Sequence, residues 1–230
     1  MESSTRQAGN PAPAGSRRTG ELAPVALLAA ACGIADAVGF VHSGVFAANM
    51  TGNTVLAGLS LAHADWAVAA DRLTTLATFF GGAMGGRVVH RAWPDAPWLP
   101  LLLEALLIGV AAFVDPARAW SIWLVAAAMG IQATVITKVG GMAISTVVVT
   151  STMARLAERA VDALAGSPRA AGPDPDAPTG LALAWASYAV GAVAAALLMQ
   201  ATALPLLVSA GVVLVVSLLW MVRSPGPARD

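Results

Sequence analysis

Six apolar runs of membrane-crossing length, parted by short polar segments, limit what this 230-residue chain can fold into. They extend from about Leu22 to Phe46, Leu73 to Val89, Trp98 to Val114, Trp120 to Ile136, Gly180 to Gln200 and Leu204 to Val222. A helix needs roughly 17–25 predominantly apolar residues to cross a bilayer. Inside lipid every backbone polar group must find an internal partner, so runs of this kind are helical. Charge is correspondingly scarce. Asp, Glu, Lys and Arg make up 11% of the chain, where a soluble domain carries about a quarter. The expected fold is all-α, a polytopic membrane helix bundle of about six transmembrane helices.

One transmembrane domain is expected over 22–222, preceded by a polar segment, 1–21, and followed by a tail, 223–230. The segment Met1 to Gly20 is rich in Pro, Gly, Ser and Arg, cannot bury apolar area and reads as disordered. Arg17-Arg18 before an apolar run imitates a twin-arginine signal, and Leu28 to Cys32 a lipoprotein cleavage site. The run continues past Cys32 at full spanning length, which favours a mature helix over a leader. A short polar loop with His63, Asp65, Asp71 and Arg72 is expected before the second span.

Basic residues set the orientation. With the N-terminus inside, the inner segments hold Arg6, Arg17, Arg18, Arg87, Arg91, Arg155, Arg159, Arg169, Arg223 and Arg229, and the outer ones only Arg72 and Arg118. That asymmetry places both termini in the cytoplasm of a cytoplasmic (inner) membrane. Trp98, Trp120, Trp123 and Trp220 fall near span ends, where indole rings favour the interface.

The two halves, about 22–116 and 117–222, resemble each other. Gly33-Ile34-Ala35-Asp36 corresponds to Gly130-Ile131-Gln132-Ala133, and Leu99-Pro100-Leu101-Leu102 to Leu204-Pro205-Leu206-Leu207. Three spans per half is an odd number, so the halves would lie in opposite orientations. Inverted repeats with broken helices at matching places point to a binding site near mid-membrane.

The candidate site residues follow from polarity inside apolar runs. Asp36 and Glu104 are acids within spans, where ionisable groups face the bundle interior or a cavity and serve proton or ion coupling. A structural hydrogen bond for Asp36, or a position of Glu104 near the interface, is the alternative. Asn49, Thr51, Gly52, Asn53 and Thr54 form a polar break between two apolar runs. Non-helical backbone at membrane depth has to be buried or line a cavity. A helix restarting there would aim its first amides at the break and favour an anion; the alternative is an ordinary N-cap in an outer loop. The partner set in the second half is Gln132, Thr146, Thr150, Ser151 and Thr152. The expected substrate contacts are Asn49, Thr51, Gly52 and Asn53 from the first half, with Gln132, Thr150, Ser151 and Thr152 from the second. Gly81, Gly82, Gly85 and Gly86 form small-xxx-small pairs for helix packing, within the chain or at a homodimer face. Arg155, Glu158, Arg159 and Asp162 alternate in sign at helical spacing, as on a solvated helix.

Other chemistry is not indicated. There is one cysteine, and His42, His63 and His90 are scattered, so neither a disulfide nor a structural zinc site is expected. No nucleophile elbow, zincin helix or phosphate loop occurs, so no catalytic residue, cofactor or metal is assigned and the chain is not expected to be an enzyme. The net charge of zero gives no reason to expect a nucleic-acid partner. The partners expected are the lipid bilayer and a small solute.

Gly33 to Phe40, then Phe46 through Met50-Thr51-Gly52-Asn53-Thr54, resemble the YoaK-like family of bacterial inner-membrane proteins. Phe80 to Arg87, Glu104, Ala128 to Gln132 and Thr146 to Thr152 fit its later motifs, although the second Thr-Gly-Thr-like motif is here Thr150-Ser151-Thr152 without the glycine. The resemblance implies a six-span membrane protein and no established activity, since the family is a domain of unknown function. The residues themselves favour a small secondary transporter or permease for a small polar solute. A non-transporting assembly or sensor subunit is the alternative, and a membrane-embedded lipid enzyme is less favoured.

Overall fold

Residues 14–114, 118–135, 149–165 and 178–224 are described by the computed structural model, and the regular structure among them is entirely helical. The helices are α1 (Ala14–Ser43), α2 (Met50–Ala62), α3 (Trp66–Ala92), α4 (Leu99–Ala112), α5 (Ala119–Val135), α6 (Val149–Leu164), α7 (Pro178–Ala201) and α8 (Leu206–Arg223).

Most boundaries fall within a few residues of the apolar runs, and two depart from them. Helix α1 starts at Ala14, inside the segment expected to be disordered. Once a helix is nucleated, each added residue brings one backbone hydrogen bond, and the stretch from Ala14 to Ala23 holds no proline to stop it. Helix α3 starts at Trp66 and takes in Asp71 and Arg72, expected in a loop. Asp65 is the physical start signal, capping α3 by accepting from Val68 N–H at 3.4 Å. Arg72 turns back on α2, where its guanidinium donates to Leu56 O at 2.6 Å and to the Ser60 hydroxyl.

Three segments are long and apolar enough to cross a membrane, Leu22–Ser43, Gly180–Ala201 and Leu206–Arg223, with mean hydropathy of 1.9, 1.9 and 2.2. Helices α4 and α5 are apolar but shorter, at 14 and 17 residues. The surface is apolar where a soluble protein would be charged: Phe80, Phe113, Val190, Val193 and Leu197 are all exposed. Such a surface is stable in lipid. Helix α1 is the inner element, 67% buried over its apolar window against 22% for α7 and 28% for α8.

Helix α1 packs on α7 and α8 and lightly on α5, while α5 packs on α3 and α4. Helix α2 lies on α3, α6 lies on α7, and α4 meets α8. Exchanging α1 with α5, α2 with α6, α3 with α7 and α4 with α8 carries each of these pairs into another of them or into itself; the light α3–α4 contact is the exception. The two tightest seams are alike in detail. A Cβ on Gly33 would fall 2.1 Å from Tyr188 O and 3.0 Å from Ala192 N, and one on Gly191 would fall 2.1 Å from Ala30 O. A Cβ on Gly130 would fall 2.0 Å from Phe79 O and 2.8 Å from Ala83 N, and one on Gly82 would fall 2.0 Å from Ala127 O. Without side chains at these positions the backbones approach closely, which is how membrane helices gain packing where lipid competes for apolar contact.

Candidate functional site

The break between α1 and α2 begins at Gly44. Its φ of +67° lets the chain leave α1 through the left-handed region, and its N–H closes the helix on Phe40 O at 2.9 Å. The rings of Phe40 and Phe46 stack across the turn with centroids 4.5 Å apart. The chain then passes back through the bundle interior, since Val45, Ala47 and Ala48 are buried.

Three side chains satisfy this non-helical backbone. Asp36, 3% exposed, accepts through Oδ1 from Ala48 N–H at 2.6 Å and Asn49 N–H at 3.3 Å. Its Oδ2 accepts from the Tyr188 hydroxyl at 2.6 Å. Asn53, fully buried, holds both faces of one residue: Oδ1 accepts from Phe46 N–H at 2.9 Å and Nδ2 donates to Phe46 O at 2.7 Å. Asn49 caps α2, its Oδ1 accepting from Gly52 N–H at 3.1 Å. Buried backbone without such partners would be costly. The first amides of α2 do face the break, and the acceptor seated there is the chain's own Asn49. Thr51 is exposed, and the Thr54 hydroxyl bonds to Met50 O at 2.8 Å within α2. Gly52 is kept small by its neighbours: a Cβ there would lie 3.1 Å from Asn49 Nδ2 and from the Phe46 ring.

Glu104 is different. It is fully buried in α4, and neither carboxyl oxygen has a hydrogen-bond partner among the described residues. An ionised carboxylate moved into a medium of low dielectric without a partner costs on the order of 20 kcal/mol in the ideal limit and still several after relaxation. Cys32, one turn before Asp36 on α1 and also fully buried, is close enough to both acids for their charges to act on its thiol. Around it, Gln132 Nε2 on α5 donates to Leu28 O at 3.1 Å, and the Ser209 hydroxyl on α8 donates to Ala31 O at 2.9 Å. The interior thus holds two acids in unlike settings, one with three donors and one with none among the described residues.

A small cleft, with a cavity volume of about 30 Å³, opens beside this region, between the ends of α1 and α4, the start of α5 and the turn before α8. Its wall includes Ala35, the neighbour of Asp36, together with His42, Ser43 and Ser121. The two serine hydroxyls bond to backbone carbonyls of Gly39 and Ala111, at 2.7 and 3.4 Å.

The residues expected from the sequence therefore separate into groups. Asp36, Asn49, Gly52 and Asn53 come together at the break, whereas Glu104 and Gln132 lie in the bundle interior on α4 and α5. The side chains of Thr150, Ser151 and Thr152 lie outside the described residues, as does Thr146 entirely. Gly82 and Gly86 pack against α5, as expected of a packing face. Gly81 and Gly85 meet nothing within 4 Å among the described residues, because they point away from that seam. Tyr188 is a site residue that the sequence reading misses. Its signal is there: it is the only tyrosine, set in the middle of an apolar run, where a buried hydroxyl needs a partner.

Residues 25–219 match the profile of the family described as "Protein of unknown function (DUF1275)". The chain belongs to the DUF1275 family. This DUF1275 protein is also 37% identical, over 145 residues, to the "UPF0700 transmembrane protein YoaK" of Bacillus subtilis (strain 168). The match covers 58% of this chain and 64% of the relative, a little under two thirds of its length. No solved structure matches the DUF1275 protein. The YoaK resemblance read from the motifs is thus borne out, and with the apolar helices it makes this a membrane protein with a helical fold.

Proposed function

We propose that this DUF1275 protein is a small secondary transporter or permease of a cytoplasmic membrane, carrying a small polar solute coupled to protons or cations. In this reading α1, α3, α4, α5, α7 and α8 are six spans with both termini in the cytoplasm, in keeping with the arginine asymmetry. The spans form two inverted three-helix repeats, with α2 as the short helix after the break at Gly44 and α6 as its counterpart in the second half. The substrate would meet Asn49, Thr51, Gly52 and Asn53 on one side and Gln132 and Thr150 to Thr152 on the other. Asp36 and Glu104 are the candidate coupling acids, and no catalytic role is assigned.

The observation that carries the reading is the doubled glycine seam. Gly33 and Gly130 are 97 residues apart, as are Ala30 and Ala127, the carbonyls met on the same two helices. On the facing helices, Phe79 and Tyr188 are 109 apart, as are Gly82 and Gly191. Two sequence-distant helix pairs sharing one register are what a repeat produces. Each pair joins a helix of one half to a helix of the other, and α1 meets α5 only lightly. Such pairs are natural rigid bodies for rocking about a central site.

The test is a thermal-shift screen of the purified protein against a metabolite panel, followed by uptake into proteoliposomes of whatever stabilises it. Ligand at a hundredfold excess over its Kd stabilises the folded state by about 2.7 kcal/mol. Uptake left unchanged by both Asp36→Asn and Asn53→Ala would overturn the assignment.

A second reading, a non-transporting assembly or sensor subunit, is favoured by one observation. Asp36, Asn49 and Asn53 direct their polar atoms to the break itself, as a purely structural cluster would. Stoichiometric recovery of a partner protein, with no ligand bound, would support it; a homodimer would point to the open glycine row of α3. Lipid turnover that depended on Asp36 or Glu104 would argue instead for an enzyme.

A further inference from the structure

The two intramembrane acids share one interior, and their surroundings divide their labour. Asp36 is surrounded by donors: two backbone amides and a phenol converge on its two oxygens. These are the partners of an ionised carboxylate, which accepts and does not donate. Among the described residues, Glu104 has neither a donor nor a cation within reach of its oxygens. The elements packed on α4 explain why. Helix α8 contributes the buried Ser209 and Ser217, whose hydroxyls donate to Ala31 O and Trp98 O. Helix α3 contributes the buried Thr75, whose hydroxyl donates to Asp71 O. Helix α5 contributes Ser121, which donates to Ala111 O, the neutral amide of Gln132, and the buried indole N–H of Trp123, which bonds to no described acceptor, Glu104 included. Apart from Asp36, the titratable group acting from α1 is the Cys32 thiol, which would bring negative charge and not positive. No arginine or lysine is fully buried among the described residues, and the part-buried Arg72 of α3 turns its guanidinium to Leu56 O and the Ser60 hydroxyl on α2.

The repeat register sharpens the point. Counting from the matched Leu99 and Leu204, Glu104 stands where the second half has Ser209, and both positions are fully buried. A small hydroxyl that bonds to a carbonyl suffices for packing there. The first half carries an acid instead, in a site whose described residues offer an anion nothing.

We propose that Glu104 rests as a neutral carboxylic acid in a dry site and is the proton-binding group of this protein. The inference deepens the transporter reading and rests on it for its purpose: the proton leaves Glu104 for water or solute only when the helices part enough to admit one. Asp36 stays ionised and holds the break.

Infrared spectroscopy of the full chain in lipid nanodiscs at neutral pH reads the proton directly. The wild-type protein should give the C=O stretch of a carboxylic acid free of strong hydrogen bonds. Glu104→Gln should abolish that band, and Asp36→Asn should leave it. A wild-type spectrum without the band, or a band that survives Glu104→Gln, would overturn the proposal. Should the glutamine variant fail to fold, dicyclohexylcarbodiimide answers on wild-type protein. The acid proton passes to a carbodiimide nitrogen as the carboxyl oxygen bonds to the central carbon, and rearrangement leaves an N-acylurea. Peptide mass mapping should find the adduct on Glu104 and not on Asp36; adduct on Asp36 with Glu104 unmodified would overturn it. Neither readout requires transport, so failure of the transporter reading would appear in the uptake assay alone.

Discussion

The Tyr188 hydroxyl donates to Asp36 Oδ2 at 2.6 Å, tying α7 to the break between α1 and α2 across 152 residues of chain. The other oxygen of the same carboxylate holds the Ala48 and Asn49 amides. One side chain therefore joins a local loop to a distant helix, beside the seam where Gly33 meets the Tyr188 carbonyl.

Tyr188→Phe removes one donor and leaves a buried carboxylate oxygen without it. Leaving a buried polar group unsatisfied costs about 1–3 kcal/mol, more when it is charged. The variant should show a lower thermal unfolding midpoint in detergent, with helix content unchanged before the transition. A midpoint equal to that of the wild type would mean the bond contributes nothing.

Asn53→Leu keeps roughly the volume of the side chain and strips both partners from Phe46. The part-buried Phe46 N–H and C=O would then lose these partners, at up to about 1–3 kcal/mol each. Amide hydrogen exchange should accelerate over 44–50 well before it does in α1. Asn53→Asp should fall between the wild type and Asn53→Leu, since it still accepts from the N–H but cannot donate to the carbonyl.

Gly33→Ala and Gly130→Ala should each destabilise the protein by about 1–3 kcal/mol, the usual cost of overpacking. Their added methyl groups would strike backbone, which cannot swing aside. Gly81→Ala should be neutral or stabilise α3 by up to about 1 kcal/mol, because its Cβ enters open space and alanine favours helix. Comparing the three by chemical denaturation separates close packing from simple helix propensity.

Cys32 is the sole cysteine and is fully buried, so the natural chain carries its own reporter of opening. A maleimide should label the native protein only slowly and react fully after denaturation. Under the transporter reading, a bound solute should change the slow labelling rate of the native state; a rate insensitive to every stabilising ligand would count against movement near Asp36.

The helix positions are legible in the sequence because an apolar run of a given length has few alternatives in lipid. The start of α3 is misplaced for a related reason. Asp71 and Arg72 look like loop residues in a hydropathy pattern, and the sequence carries no record that Arg72 returns onto Leu56 O and Ser60 from within a helix. The polar residues of the break are legible as a group, since amides and an acid stand out from apolar flanks. Their partners are not: Asn53 could face a ligand as readily as Phe46, and sequence carries no record of which way an amide points. Glu104 is legible as an acid in an apolar helix, but its lack of donors among the described residues is a property of the other helices around it.

The Asp36 pairing also bears on how the chain is made. Helix α1 enters the membrane long before α7 exists; at about 5–20 residues per second, 152 residues take roughly 8–30 s. During that interval Asp36 can already engage the amides of Ala48 and Asn49, only 12 and 13 residues onward. A loop so close in sequence would shelter the acid in the nascent chain until the tyrosine arrives to complete its shell.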